Sequence, residues 1–169
     1  MFSALTCMAV AIYFEARSEP IAGQFAIANV IINRVFDDRY PDNICDVVRQ
    51  GKLSSKPGDR VYINQCQFSF FCDGKSDKPE DFDAFEDALH ISSMTIVSSM
   101  SFNDAWYDLT DGSTHYHSIN INPDWAKTKT RVVRIENHVF YRWEENVPDK
   151  KINYKITEER SHGRIFYNN

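Results

Sequence analysis

Apolar residues fill the first part of the chain almost without interruption. Residues 4–14 read Ala-Leu-Thr-Cys-Met-Ala-Val-Ala-Ile-Tyr-Phe, and Glu15 follows directly. A helix that is apolar on all sides is expected to be buried. We therefore predict a first helix over residues 4–17 that lies in the core and carries Glu15 near its end.

A second helix is predicted over residues 21–35, after the break at Ser18-Glu19-Pro20. Pro20 suits a first helical turn, where its missing N–H costs nothing. Apolar residues then recur at intervals of three and four, which predicts one buried helix face. The residues that define this face are Phe25, Ala28, Ile32 and Val35.

Two more helices are expected before the pattern changes. A short one is predicted over residues 43–49, followed by a polar loop with Gly and Pro over residues 51–60. Pro79-Glu80-Asp81 places acidic residues in the first turn of a further helix, where they complement its dipole. This helix is predicted to continue to about residue 100.

Extended structure is predicted in the last third of the chain. Residues 115–121 and 131–143 are typical of strands, and Glu136-Asn137 lies between two apolar runs as in a hairpin. Helices first and strands later predict an α+β fold, in which a helical lobe and a small antiparallel β lobe flank a cleft. The polar, basic tail that follows residue 147 receives no assignment.

Length and charge restrict the class of protein. We expect one domain over residues 1–169, which is long enough to bury a core. The formal net charge of -5, with acidic and basic residues interspersed, argues against nucleic acid or an anionic membrane as a partner. Because no segment reaches the length of a membrane-spanning helix, we expect no membrane insertion. We also expect a monomer.

Four cysteines are too few for a scaffold held together by disulfides. Cys7 lies in the apolar helix and is interpreted as a buried thiol. Cys66 and Cys72 are close enough to bridge a short loop, and their pairing is left open. Zinc is disfavoured here because the Cys-x5-Cys spacing has no second pair of ligands nearby.

Glu15 is the first candidate for chemistry. A carboxylate at the end of a buried helix loses solvation, which raises its pKa. A carboxyl group that stays protonated near neutral pH is what a general acid for glycosidic cleavage requires. The alternative is a structural ion pair with Arg17 or Arg34, and position alone does not decide between the two.

Four blocks carry most of the remaining polar and aromatic candidates. They are residues 13–24 with 28–35, residues 65–74, residues 114–117 with 122–126, and residues 135–141. In this order they resemble the SleB-type cell wall hydrolases, a family named for a spore-cortex-lytic enzyme. The signature Glu-Ala-Arg-x-Glu-Pro-x-x-Gly-Gln starts at Glu15. The resemblance covers residues 5–143 and leaves 144–169 as a C-terminal extension.

The resemblance implies a lysozyme-like or lytic-transglycosylase-like fold and an enzyme that degrades peptidoglycan. It would cleave the glycan bond between N-acetylmuramic acid (MurNAc) and N-acetylglucosamine (GlcNAc), with Glu15 as the catalytic acid and without a cofactor. The sequence departs from the family pattern at Ser18 and at Glu136-Asn137, where Gly is expected. Both departures could shift the local backbone, since Gly permits conformations that other residues reach less easily.

The number of carboxylates separates two reactions. A transglycosylase uses one carboxyl group as acid and then as base, whereas a hydrolysing lysozyme uses a second one. Glu19 is interpreted as a partner of the second helix dipole, Asp73 as part of a turn and Glu86 as a solvated residue. This favours transglycosylation.

Residues of the later blocks are predicted to bind the substrate. Gln67, Ser69 and Tyr116 could hydrogen-bond to sugar groups, and Phe68 and Trp125 could stack on sugar rings, although core packing is the simpler interpretation of Phe68. His115 and His117 are predicted to line the groove or to pack beneath it.

Two alternative functions stay open. Residues two apart on a strand share a face, so His115 and His117 could bind zinc together with His138 or Asp124, as in a peptidoglycan amidase. No recognised metal signature supports this arrangement. The second alternative is a glycan-binding module without catalysis.

The first residues do not have the form of a secretion signal. Met1-Phe2-Ser3 supplies no positive charge, and the apolar stretch continues into sequence of globular character. We expect a protein made in the cytoplasm that acts on the cell wall, in the periplasm or during host lysis. A phage endolysin and a bacterial enzyme whose leader has been removed both fit this pattern.

Overall fold

The computed structural model describes residues 3–53, 61–100 and 107–143. Within these ranges the chain forms four α-helices and five strands, and the predicted C-terminal extension lies outside them. The helices are α1 (Ala4–Ala16), α2 (Ile21–Phe36), α3 (Ile44–Arg49) and α4 (Phe82–Ser99). The strands are β1 (Gly51–Leu53), β2 (Val61–Cys66), β3 (His115–Ser118), β4 (Thr130–Ile135) and β5 (His138–Arg142).

Helix α1 lies in the core, as its uniformly apolar sequence predicts. Ser3 caps its N-terminus by accepting a hydrogen bond from the backbone N–H of Thr6 at 3.2 Å. The helix packs against α4, α2 and α3, so its sides meet protein rather than water. Of the helices in the described ranges, none combines the length and the apolarity that a bilayer crossing requires.

Helix α2 is anchored to the segment that precedes β3. The backbone N–H of Leu109 donates to Asn29 Oδ1 at 3.1 Å, and Asn33 Nδ2 donates to the carbonyl of Ser113 at 3.1 Å. Because both asparagines are buried, these bonds satisfy polar groups that water cannot reach. They hold the start of β3 against the helices.

The main sheet has three antiparallel strands in the order β3-β5-β4. Tyr116 pairs with Phe140 and His117 pairs with Val139. Because side chains alternate along a strand, Tyr116 lies on one face of the sheet while His115 and His117 lie on the other. The predicted hairpin is confirmed, and Glu136 adopts a positive φ of 50° in its turn.

The pair β1–β2 was not predicted. Residues 51–60 are expected from the sequence to form a polar loop, whereas β1 and β2 form an antiparallel pair. Most side chains of both strands are exposed, so neither strand shows the alternation of apolar and polar residues that makes a strand recognisable.

Both pairs of cysteines form disulfides. The interpretation of Cys7 as a buried thiol is wrong, because Cys7 is bonded to Cys45 and thereby connects α1 to α3. Cys66 is bonded to Cys72, which closes a short loop after β2. Local sequence could not reveal the first pairing, since its partners are 38 residues apart and meet only when the helices pack.

Candidate active site

Glu15 lies in the last turn of α1, where the helix reaches the inner face of the main sheet. Its partly buried carboxyl group accepts a hydrogen bond from the Tyr116 hydroxyl, with 2.9 Å between Oη and Oε2. The two residues are 101 positions apart in the sequence. Packing of the helical lobe on the sheet therefore creates this pair.

Burial raises the pKa of Glu15 above the usual value of 4.5. The Tyr116 hydrogen bond, the positive charge of Arg34 and a backbone hydrogen bond from Ser69 each lower it, but burial has the larger effect. The raised pKa expected of a carboxyl group on this helix is thus confirmed. A larger fraction of Glu15 stays protonated at a given pH than in an exposed glutamate.

Tyr116 remains a hydrogen-bond donor at any pH at which the protein is expected to work. Burial and the neighbouring Glu15 carboxyl group raise the pKa of its hydroxyl well above 10.0. Its ring packs against the side chains of His138 and Phe140, with centroids 5.4 Å and 5.9 Å away. The hydroxyl is therefore a fixed donor for Glu15.

Neither arginine considered as a structural partner of Glu15 forms an ion pair with it in the described part of the chain. Arg17 Nη1 donates to the Tyr13 hydroxyl at 2.7 Å. Arg34 is buried, and its Nε donates to the backbone carbonyl of Thr114 at 2.8 Å. The ion-pair interpretation of Glu15 is therefore not supported.

The loop closed by the second disulfide contains three predicted substrate-binding residues, and the backbone of one of them, Ser69, hydrogen-bonds to Glu15. The backbone N–H of Gln67 donates to the carbonyl of Gln50 at 2.9 Å, while the Gln67 and Ser69 side chains are exposed. Phe68 is fully buried beneath Arg34, and the guanidinium carbon lies 5.2 Å from the centroid of the Phe68 ring. A sugar ring has no access to Phe68, so we assign this residue to packing and correct the predicted stacking role.

His115, His117 and Trp125 lie together on the outer face of the sheet. Trp125 contacts both histidine rings, with centroids 5.4 Å and 5.7 Å away, and Tyr141 stacks on His117. Tyr116 projects from the opposite face toward Glu15. This arrangement places the three residues on the face opposite to the Glu15–Tyr116 pair, where their rings pack together. Their predicted contact with the substrate stays a prediction.

The zinc alternative gains no support from the geometry. His117 Nδ1 lies 2.8 Å from the Ser118 carbonyl and Nε2 lies 2.9 Å from the Tyr141 hydroxyl, so both nitrogens have protein partners. His115 Nδ1 is 2.9 Å from the Thr114 hydroxyl. Over residues 3–53, 61–100 and 107–143, no group of three or more His, Cys, Asp or Glu side chains could hold a metal ion.

The three candidates for a second carboxylate all have structural explanations. Glu19 accepts hydrogen bonds from the backbone N–H and Nδ2 of Asn137, at 3.2 Å and 3.1 Å. Asp73 accepts from the backbone N–H of Lys75 at 2.8 Å, as in a turn. Glu86 is exposed on α4. Of the four carboxyl groups considered, Glu15 therefore remains the candidate catalytic group.

Sequence comparison identifies relatives of this chain. The profile of a family described as Cell Wall Hydrolase matches residues 18–141, starting just after Glu15. A spore cortex-lytic enzyme of Halalkalibacterium halodurans is 28% identical over 138 residues, and a second one from Oceanobacillus iheyensis is 49% identical over 63 residues. These matches cover 79% and 32% of this chain, but only 33% and 23% of the relatives. The chain thus spans about a third of the length of the first relative.

Two solved structures share the fold. The catalytic domain of the Bacillus cereus SleB protein matches with a TM-score of 0.55, and that of the germination-specific lytic transglycosylase SleB from Bacillus anthracis with 0.56. Both are 24% identical to this chain, with 82% of this chain and 89% and 93% of theirs covered. The predicted α+β fold of the lytic-transglycosylase type is thereby confirmed.

Proposed function

Because the chain belongs to the cell wall hydrolase family, we propose that it cleaves peptidoglycan glycan strands between MurNAc and GlcNAc as a lytic transglycosylase. Glu15 is the catalytic carboxyl group in this proposal. The observation that carries it is the position of Glu15 at the end of a buried helix, with a raised pKa and a hydrogen bond from Tyr116. The names of the relatives, spore cortex-lytic enzyme and lytic transglycosylase, agree with this activity.

The first half of the reaction uses Glu15 as an acid. Tyr116 donates to Oε2, and the neutral carboxyl group of Glu15 carries the transferable proton. Neutral Glu15 donates this proton to the glycosidic oxygen as the bond to the muramyl anomeric carbon breaks. A raised pKa keeps the proton available near neutral pH.

The second half uses the resulting carboxylate as a base. It takes the proton of the muramyl C6 hydroxyl, whose oxygen bonds to the anomeric carbon of the same sugar. The product is a 1,6-anhydro ring, Glu15 is neutral again and no water has been consumed. The Tyr116 hydrogen bond stabilises the carboxylate between the two halves because a hydrogen bond to a charged acceptor is the stronger kind.

One carboxyl group is sufficient for this sequence of steps, whereas hydrolysis with a retaining or inverting mechanism uses two. In the part of the chain that the structure describes, Glu19, Asp73 and Glu86 are explained by turns, a hairpin contact or solvation. This favours transglycosylation. Gln67 and Ser69 are proposed to hydrogen-bond to the sugar, because their exposed side chains belong to the loop that contacts Glu15.

The two disulfides support a site of action outside a reducing cytosol. Disulfides form and persist in oxidising environments such as the periplasm and the cell exterior. We therefore place the activity on the cell wall in such a compartment.

The decisive test is mass spectrometry of fragments released from purified Gram-negative peptidoglycan. Muropeptides with 1,6-anhydro ends, lighter by one water than hydrolysis products, are expected. The Glu15→Gln variant should keep the fold and lose activity by roughly 10²–10⁴-fold, because it removes the transferable proton. Glu86→Gln makes the same chemical change on the exposed surface of α4 and should leave activity unchanged.

Other products would contradict the proposal in recognisable ways. Normal reducing ends would mean hydrolysis and require a second carboxylate. Intact glycan strands with freed stem peptides would indicate an amidase, and binding without release of fragments would indicate a glycan-binding module. Substantial activity in Glu15→Gln would exclude Glu15 as the acid.

A further inference from the structure

Arg34 is a buried cation beside the candidate active site. Only 3% of its surface is exposed, and its Nη1 has no hydrogen-bond partner among the described residues. The guanidinium carbon lies 5.4 Å from the ring centroid of Tyr40 and 5.2 Å from that of Phe68. Its Nε donates to the Thr114 carbonyl. The aromatic rings and this bond enclose the positive charge without neutralising it.

A buried charge is costly unless an opposite charge pairs with it. In the described ranges no carboxylate lies within ion-pair distance of Arg34. Arg34 lies next to both groups that hydrogen-bond to Glu15: its Nε donates to the carbonyl of Thr114, two residues before Tyr116, and its guanidinium covers Phe68, which precedes Ser69. The titratable groups that interact with its charge are Tyr116, Tyr40 and Glu15, and His115 is affected by it in turn. Glu15 is the carboxyl group of this set, and it is also the group whose charge must change during the proposed reaction.

We propose that Arg34 is the fixed countercharge for the Glu15 carboxylate, stabilising it after proton donation and setting the pH range in which Glu15 serves as an acid. This inference rests on the proposed function and adds a positioning residue to it. Arg34 acts on the reaction through Glu15, since only 3% of its surface is exposed.

The separation between the two groups is what makes the arrangement useful. A direct ion pair would hold Glu15 ionised and remove its proton before substrate binds. Without such contact, the effect of burial on the Glu15 carboxyl group exceeds that of the Arg34 charge, so the resting group favours its neutral form. Once the proton has left, the buried cation stabilises the new negative charge, and this stabilisation applies to the charged state alone.

A purely structural role for Arg34 is the competing explanation, because its bond to Thr114 also connects α2 to the start of β3. The two roles predict different variants to be tolerated. Lysine keeps the charge and loses the guanidinium geometry, whereas methionine and glutamine keep much of the length and lose the charge. The experiment therefore compares Arg34→Lys with Arg34→Met and Arg34→Gln.

Glu15 is titrated by NMR in protein carrying ¹³C-labelled glutamate, with Glu15→Gln used to assign its signal. Loss of a nearby opposite charge should raise the Glu15 pKa by about one unit or more in Arg34→Met and Arg34→Gln. Arg34→Lys should titrate close to the wild type. Arg17→Met is the matched control: Arg17 lies two residues from Glu15, is exposed and is not among the groups that act on it, so no shift is expected.

The pH–rate profile on soluble peptidoglycan fragments supplies the second readout. Glu15 must be protonated to act, so the descending limb of the profile should move to higher pH in the uncharged variants. Their kcat should fall, while KM should stay within about twofold because only 3% of the Arg34 surface is exposed. In Arg34→Lys the descending limb of the pH–rate profile should lie at the same pH as in the wild type.

Unchanged titration in folded Arg34→Met or Arg34→Gln overturns the inference. If neither uncharged variant folds, Arg34→Lys still decides, since a shift of a full unit in that variant contradicts a role of the charge. The NMR titration needs no substrate. Failure of the proposed function, recognised by an active Glu15→Gln variant, is therefore distinguishable from failure of the Arg34–Glu15 coupling.

Discussion

At the scale of single residues, the properties of Glu15 depend on groups from three separate parts of the chain. Helix α1 buries the carboxyl group, Tyr116 on β3 donates a hydrogen bond to it, and Ser69 contributes a backbone bond from the disulfide-closed loop. Burial favours the neutral form, and the two hydrogen bonds favour the charged form. Both forms are needed if the residue acts first as an acid and then as a base.

Tyr116→Phe tests the hydrogen bond to Glu15. Removing the hydroxyl removes a contact that lowers the pKa of Glu15, so this pKa should rise and the descending limb of the pH–rate profile should move to higher pH. A hydrogen bond to a charged group contributes about 1.5–3 kcal/mol, so kcat should fall by roughly 10–100-fold. Steady-state kinetics over a range of pH measures both effects.

Tyr141→Phe is the matched control for this experiment. Tyr141 lies on the neighbouring strand β5, and its hydroxyl contacts His117 on the outer face of the sheet. The same change of Tyr to Phe at this position should leave the pH–rate profile in place. Equal effects of the two substitutions would mean that the sheet as a whole, rather than the Tyr116–Glu15 bond, controls activity.

At the scale of elements, the junction between α1 and α2 is attached to the β4–β5 hairpin. Both carboxyl oxygens of Glu19 accept hydrogen bonds from Asn137, which is 118 residues away in the turn of the hairpin. The contact holds the sheet against the end of α1. The contact therefore helps to keep Glu15 on the helix within hydrogen-bonding distance of Tyr116 on the sheet.

Asn137→Ala should weaken this attachment. It removes the Nδ2 bonds to Glu19 and keeps the backbone bond, so the free energy of unfolding should fall by about 0.5–1 kcal/mol. Urea denaturation followed by circular dichroism measures the change. Asn120→Ala, in the exposed turn after β3, is the control and should have no effect. If Asn137→Ala proves as stable as Asn120→Ala, the attachment of the hairpin does not depend on the side-chain bonds to Glu19.

Helices were more predictable than strands at this scale. The predicted range 21–35 agrees with α2 (Ile21–Phe36) to within one residue, because its apolar residues recur with a helical period. The pair β1–β2 has no comparable signal, because its side chains are largely exposed and both strands are short. What joins them is backbone pairing, which leaves little trace in the pattern of side chains.

At the scale of the whole molecule, the Cys7–Cys45 disulfide is expected to be a major source of stability. It closes 38 residues that include α2, and a loop of this length should stabilise the fold by about 4 kcal/mol through restriction of the unfolded chain. The double substitution Cys7→Ala/Cys45→Ala removes the bond without leaving a free thiol. Urea denaturation of the oxidised proteins measures the expected loss.

The Cys66–Cys72 pair serves as the internal comparison. Its separation of 6 residues predicts a smaller stabilisation, about 2 kcal/mol, for Cys66→Ala/Cys72→Ala. Because this bond closes the loop that contains Gln67 and Ser69, its loss should reduce activity more than the loss of the longer bridge does. A larger loss of stability from the short loop would contradict the entropic argument.

The sequence by itself determined the helices, the hairpin and the direction of the pKa shift of Glu15. An uninterrupted apolar run can only be stable when buried, and a carboxyl group at its end must then lose solvation, so burial and the direction of the pKa shift followed from local sequence. The periodicity of α2 and the change to extended segments after residue 114 were sufficient for the α+β class. The helices, the hairpin and the pKa shift depend mainly on residues that are close to one another in the sequence.

The tertiary structure alone decided which groups surround Glu15. Tyr116 and Arg34 act on it from β3 and α2, and Cys7 meets Cys45 only when α1 and α3 pack. Tyr116 meets Glu15 on one face of the sheet, whereas His115 and His117 lie on the opposite face. Hydrogen bonds and charge interactions depend on distances in space of a few ångströms, and a sequence does not contain those distances until its helices and sheet are packed together.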